Sequence, residues 1–207
     1  MTKQLSTGFS PEIAATKPVA GSRAAAGLRF AGIALAGSAV VALSAHVALP
    51  LSFTPVPMTL QPLAVLVLGL LLAPELAAAT LVLYLAEGAV GLPVFAPSLP
   101  STLGLAHLLG PTGGYLMAYP AAAALASWLY RQTGRGLRRG FALGLLSAGT
   151  ALALVFACGA AWLAVWTHAS IQTVLMQAVL PFLPGAGLNI AAAAAVALGV
   201  NRLRRAR

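Results

Sequence analysis

The chain has 207 residues, 60% of them hydrophobic and only 7% charged, with a formal net charge of +9 and a mean hydropathy of +0.93. A soluble domain carries about a quarter charged residues, so this composition excludes a surface that stays in water over most of the chain. It predicts a polytopic membrane protein sitting in the lipid bilayer.

The basic residues fall in three groups. Lys3, Lys17, Arg23 and Arg29 lead into the first apolar run; Arg131, Arg135, Arg138 and Arg139 share one short loop; Arg202, Arg204, Arg205 and Arg207 close the chain. Each group ends a hydrophobic stretch, as the positive-inside rule expects of cytoplasmic segments. A nucleic-acid surface would instead gather its cations on one folded face beside base-reading groups, so no nucleic acid is expected.

Residues 1–24 mix Thr, Ser, Pro, Gly and Lys and read as a disordered cytoplasmic tail. A transmembrane domain over 25–203 and a basic cytoplasmic end at 204–207 complete the chain. The run 28–49 is too long for a signal-peptide core, and its basic lead is too long as well, so it is the first helix. Pro50, Pro55, Pro57 and Pro62 exclude helix through most of 50–62 and favour extended backbone. Without a charge, this segment is an outer loop, and its apolar content tucks it into protein.

A second helix is expected over 63–73, and a third to 88 or 90, joined by Pro74 and Glu75, both suited to a helix start. Residues 91–112 form the second outer loop, 114–130 the fourth helix and 141–166 the fifth. A third outer segment at 167–177 leads to a last helix, interrupted or entered at 181–185 and ending before Arg202. The expected fold is an all-α membrane protein: six transmembrane helices in one bundle, with outer loops that cap a substrate. Both termini and the arginine loop then lie inside the cell, and no outer segment carries Lys or Arg.

No Walker sequence, zinc-ligand spacing or Ser-His-Asp arrangement is visible, so neither catalysis, a cofactor, a metal nor P-loop binding of ATP is expected of this chain. Glu87, near the outer end of the third helix, is either a carboxylate that contacts a ligand or ion, or a side chain reaching interfacial water. His46, His107 and His168 come from three segments without metal-ligand spacing and read as interfacial. Cys158, inside an apolar run, reads as a buried small residue. Trp162 and Trp166, four apart near an outer boundary, read as interfacial anchors; Trp162, the deeper one, is also a candidate to stack on a substrate.

The concentrated polar and aromatic equipment lies in the outer loops. Thr59, Gln61, Phe95, Thr112, Gly113, Gly114, Tyr115 and Phe182 fit a lidded pocket for a small neutral or weakly charged solute. The run 108–115 stands out because its glycines let a ligand or another helix approach the main chain, and irregular backbone at membrane depth survives only beside water or a protein-lined cavity. Gly32 and Ala36, at i,i+4 spacing, permit close helix approach, either within the chain or to another membrane subunit.

Three stretches taken together resemble the BioY family, the substrate-binding membrane component of energy-coupling-factor biotin transporters. They are 53–61 (Phe-Thr-Pro-Val-Pro-Met-Thr-Leu-Gln), 83–95 with its Gly-Leu-Pro-Val-Phe end, and 109–115 (Leu-Gly-Pro-Thr-Gly-Gly-Tyr). Pro181-Phe182-Leu183-Pro184-Gly185 is similar to the start of the family's last helix. The resemblance implies a six-helix bundle whose first and third outer loops close over biotin. As partners it implies a transmembrane coupling subunit and two cytoplasmic ATPases, with Gly32 and Ala36 on the docking face. The family usually follows Pro-Phe-Leu-Pro-Gly with an Asp and, three residues on, a Lys, both associated with the biotin site. Here those positions are Ala186 and Asn189. That departure leaves Asn189, Glu87 and the loop groups as the polar contacts, and keeps open a related vitamin or biotin precursor as ligand. A membrane scaffold without transport is the reading from a different class.

Overall fold

Alanine and leucine, the best helix formers, dominate the runs between prolines, and in this computed structural model nearly every such run is helical. The structure describes residues 20–97, 103–132 and 137–206, with backbone alone at 20–22, 137–139 and 205. Most of the tail expected at 1–24, together with Lys3, Lys17, Arg135 and Arg207, lies outside the described residues.

Helix α1 spans Ala20–His46. It starts ahead of the expected residue 28, since the Ala-rich lead is a good helix former. It stops short of residue 49 because Ala48 and Leu49 (β1) pair antiparallel with Thr59 and Met58 (β2). The proline-rich segment is thus a hairpin pinned across its base. Helix α2, Gln61–Leu71, follows at once, with Pro62 in the first turn where its missing N–H would have had no partner anyway. Helix α3, Pro74–Ala89, opens on Pro74 and Glu75.

The loop after α3 bends at Gly91 (φ +97°) and Gly104 (φ +67°), backbone angles that side chains resist. It holds the single turn α4, Leu105–Leu108. Helices α5, Gly113–Arg131, and α6, Leu137–Thr167, come next. The outer segment expected as loop at 167–177 contains a helix, α7, Ile171–Ala178, whose N-cap Ser170 accepts a hydrogen bond from the Thr173 N–H at 3.3 Å. A 3-10 turn, Leu180–Phe182, feeds α8, Leu183–Arg205.

Among the described residues, three stretches are long and apolar enough to cross a membrane: Arg23–His46, Gly140–Thr167 and Ile171–Arg204. That is fewer than the six expected. Helices α2 and α3, with 11 and 16 residues, fall below the roughly 20 that a bilayer requires. Helix α5 lies at the centre, against α6, α3 and α2. Its Ala122, Ala123 and Ala126 are fully buried, as are Ala148 and Ala151 of α6. Small side chains at these contacts let the backbones approach closely.

Outward-facing Leu28, Phe30, Leu43, Leu146, Val165 and Leu188 are large, apolar and exposed, a surface suited to lipid and not to water. Cys158 is exposed as well, not buried, since neighbouring Val155 and Gly159 take the inner face of α6.

Polar contacts gather one end of the bundle. The Ser127 hydroxyl donates to the Leu72 carbonyl at 2.6 Å, Arg131 donates to Ser127 at 3.2 Å, and Asn201 of α8 donates to the Tyr130 hydroxyl at 3.1 Å. Arg131 and Arg202 therefore share that end. The hairpin, α4, α7 and the 3-10 turn crowd the other, and the site lies beneath them.

Candidate functional site

A cavity opens under the hairpin, with about 780 Å³ of atom-free space when the open space at its mouth is counted. Its roof is Val56, Pro57, Met58 and Thr59 of the hairpin, Ala96 and His107 of the second loop, Thr112 and Phe182. Its walls are Gln61 and Pro62 of α2, Tyr115, Leu116 and Tyr119 of α5, Leu152, Val155 and Phe156 of α6, and Gly185, Ala186 and Asn189 of α8.

The polar groups fall into two kinds. Some are committed to holding the roof. The Thr59 hydroxyl donates to Gln61 Oε1 at 3.2 Å, the Gln61 amide donates to the Tyr84 hydroxyl at 2.7 Å, and Tyr84 donates to the Val94 carbonyl at 3.1 Å. This chain of bonds ties hairpin, α2, α3 and second loop together; Gln61 is 4% exposed and Tyr84 not exposed at all. The Tyr115 hydroxyl donates to the Ala178 carbonyl at 2.9 Å, fixing α7 over α5. His107, 4% exposed, stacks on Phe95 with ring centroids 4.9 Å apart and stands 3.5 Å from the Thr112 hydroxyl. It is part of the cavity wall and not an interfacial histidine; His46 and His168 are the exposed pair.

Others are uncommitted. Among the described residues, the Tyr119 hydroxyl and the Asn189 amide line the cavity without a protein hydrogen-bond partner. Tyr119 is buried and Asn189 half-buried, and both line the cavity, so these two groups are available to a ligand.

Of the residues singled out in the sequence, Thr59, Gln61, Tyr115, Phe182 and Asn189 come together around this space. Glu87, Phe95, Gly113, Gly114 and Trp162 do not line it. Glu87 turns to α1, where the Ser38 hydroxyl lies 3.0 Å from its Oε1. Phe95 lies behind His107 and Ala96, seated over Gly88 and edge-on to Tyr84, so it supports the roof. A side chain on Gly113 would meet the Leu108 carbonyl, and one on Gly114 would meet the Trp162 side chain and the Cys158 carbonyl. At these two glycines the missing side chain leaves room for the neighbouring helices. Trp162 donates its indole N–H to the Gly110 carbonyl at 2.8 Å and so latches the glycine-rich turn onto α6.

Tyr119, His107 and the apolar trio Leu152, Val155 and Phe156 were not among the expected pocket residues. Tyr119 had a signal: four residues after Tyr115, it shares that residue's helix face. The trio had none, because nothing in an apolar helix marks the face that meets a cavity.

The sequence matches the BioY family over residues 18–206. The chain belongs to the BioY family.

A probable biotin transporter BioY from Pyrococcus horikoshii is 34% identical over 73% of this chain and 84% of its own length. The biotin transporter BioY2 of Lactococcus lactis subsp. cremoris is 34% identical over 70% of this chain and 75% of its own. The fold is similar to the crystal structure of the S-component for biotin from an ECF-type ABC transporter. That match has a TM-score of 0.75 and 22% identity, and covers 90% of this chain and 95% of that one. Ala186 and Asn189 are both cavity residues.

Proposed function

We propose that this chain is the membrane subunit that captures biotin for uptake, holding it in the cavity beneath the hairpin. The observation that carries this reading is the convergence of Thr59, Gln61, Tyr115 and Phe182, drawn from three separate family-like stretches, on one cavity. An apolar body flanked by a few fixed hydrogen-bonding groups suits a small, largely apolar vitamin with a polar ring.

In this reading six helices, α1, α2, α3, α5, α6 and α8, form the membrane bundle. The end bearing Arg131 and Arg202 lies in the cytoplasm, with both termini, and the cavity faces outward across the plasma membrane. The chain has no P-loop, so energy comes from elsewhere: a transmembrane coupling subunit and two cytoplasmic ATPases. Gly32 and Ala36 are exposed on α1, and nothing lies near Gly32 where a side chain would project, which suits them to docking that subunit.

Labelled biotin should bind the purified, detergent-solubilised protein saturably. Absence of saturable binding at micromolar biotin would defeat the reading.

A further inference from the structure

Among the described residues, no Lys, Arg, Asp or Glu lines the cavity. No Lys or Arg occurs between Arg29 and Arg131, or between Arg139 and Arg202, and every cavity residue falls within those two intervals. Glu87, the acidic residue nearest in sequence to the second loop, is turned to Ser38 on α1. His107 is the lining residue able to carry charge; it is 4% exposed and its ring stacks on Phe95. The groups left free, the Tyr119 hydroxyl and the Asn189 amide, are uncharged, and each both donates and accepts.

A carboxylate drawn out of water needs a cation or several hydrogen bonds to offset its lost hydration. Two groups that donate and accept suit a neutral partner of the same kind, such as a cyclic urea or amide with its adjoining N–H and C=O. We infer that the site recognises its ligand through an uncharged amide- or urea-like ring and an apolar body, and gives no recognition to an ionised tail. Its ligands are then the class of ring-bearing vitamers whose tail ends in an acid, an ester or an alcohol alike. This rests on the cavity being the vitamin site.

The test compares biotin with biotin methyl ester and biotinol on the purified full-length protein by titration calorimetry. All three should bind within about threefold of one another. Asn189→Ala and Tyr119→Phe should each weaken all three by the same factor, about five- to twentyfold, with thermal unfolding used to check that each variant is folded. Asn189→Lys should shift the ratio of biotin to ester affinity by tenfold or more towards biotin. A thirtyfold weaker ester in the unaltered protein would mean that the ionised tail is held, for instance by the first turn of α8 at Gly185 and Ala186, and would overturn the inference while leaving biotin capture intact. Failure of all three ligands to bind would overturn both.

Discussion

Between α5 and α6, each glycine leaves out a side chain so that a neighbour can take its place; on α1, Gly32 leaves one out and nothing fills the space. The Tyr115 ring lies against Gly159, and Trp162 lies against Gly114, so two large rings interlock across one interface. Each ring then ends in a hydrogen bond to an element at the cavity end of the bundle, Tyr115 to Ala178 and Trp162 to Gly110. Close packing in the membrane and the roof of the cavity are therefore one construction. The α1 face has the same kind of residue and no such partner. A glycine in a membrane helix consequently carries no meaning until the surface opposite it is known.

Substitutions separate the two faces, and the largest effect belongs to the α5–α6 seam. Gly159→Leu would drive a side chain into the Tyr115 ring, where overpacking costs about 1–3 kcal/mol or more. Thermal unfolding in detergent should fall sharply and biotin binding should vanish; an unchanged transition would mean that the seam is not tight. Next comes Tyr84→Phe, which leaves the Val94 carbonyl without its donor and the Gln61 amide without its acceptor. Each unsatisfied buried group costs about 1–3 kcal/mol, so stability and affinity should drop together.

Trp162→Phe keeps most of the packing and deletes the bond to Gly110, about 1 kcal/mol. Its expected signature is faster dissociation of the ligand with a small change in unfolding, read by stopped-flow release. At the far end of the scale, Gly32→Leu should alter isolated stability by no more than about 0.5 kcal/mol and leave biotin binding unchanged. Uptake by cells should nevertheless fall, because a larger side chain keeps a partner helix away. Normal uptake would remove α1 from the docking surface and close the gap between the two faces.

The positions of the helices were largely legible. Prolines at 50–62 and Pro74 stop or start helices through their fixed φ and missing N–H, which are local properties. The antiparallel pairing of Ala48–Leu49 with Met58–Thr59 was not, since a two-residue ladder has no pattern of its own. Helix α7 was missed because 167–177 combines polar residues with exposed Ile171 and Met176, which read as an outer segment. Thr59 and Gln61, which line the cavity, stood out because polar residues are rare in this chain. Glu87 stood out for the same reason: rarity marked it, and only the position of Ser38 on a neighbouring helix showed where it turns.

What the residues determined unaided was the distribution of charge. Twelve Lys and Arg, all outside 30–130 and 140–201, keep lysine and arginine out of the apolar runs and the loops between them. What only the tertiary structure decided was which small or polar side chain faces a helix and which faces empty space. Charge placement follows from position along the chain, whereas a contact depends on what another segment, far away in sequence, brings to the same point.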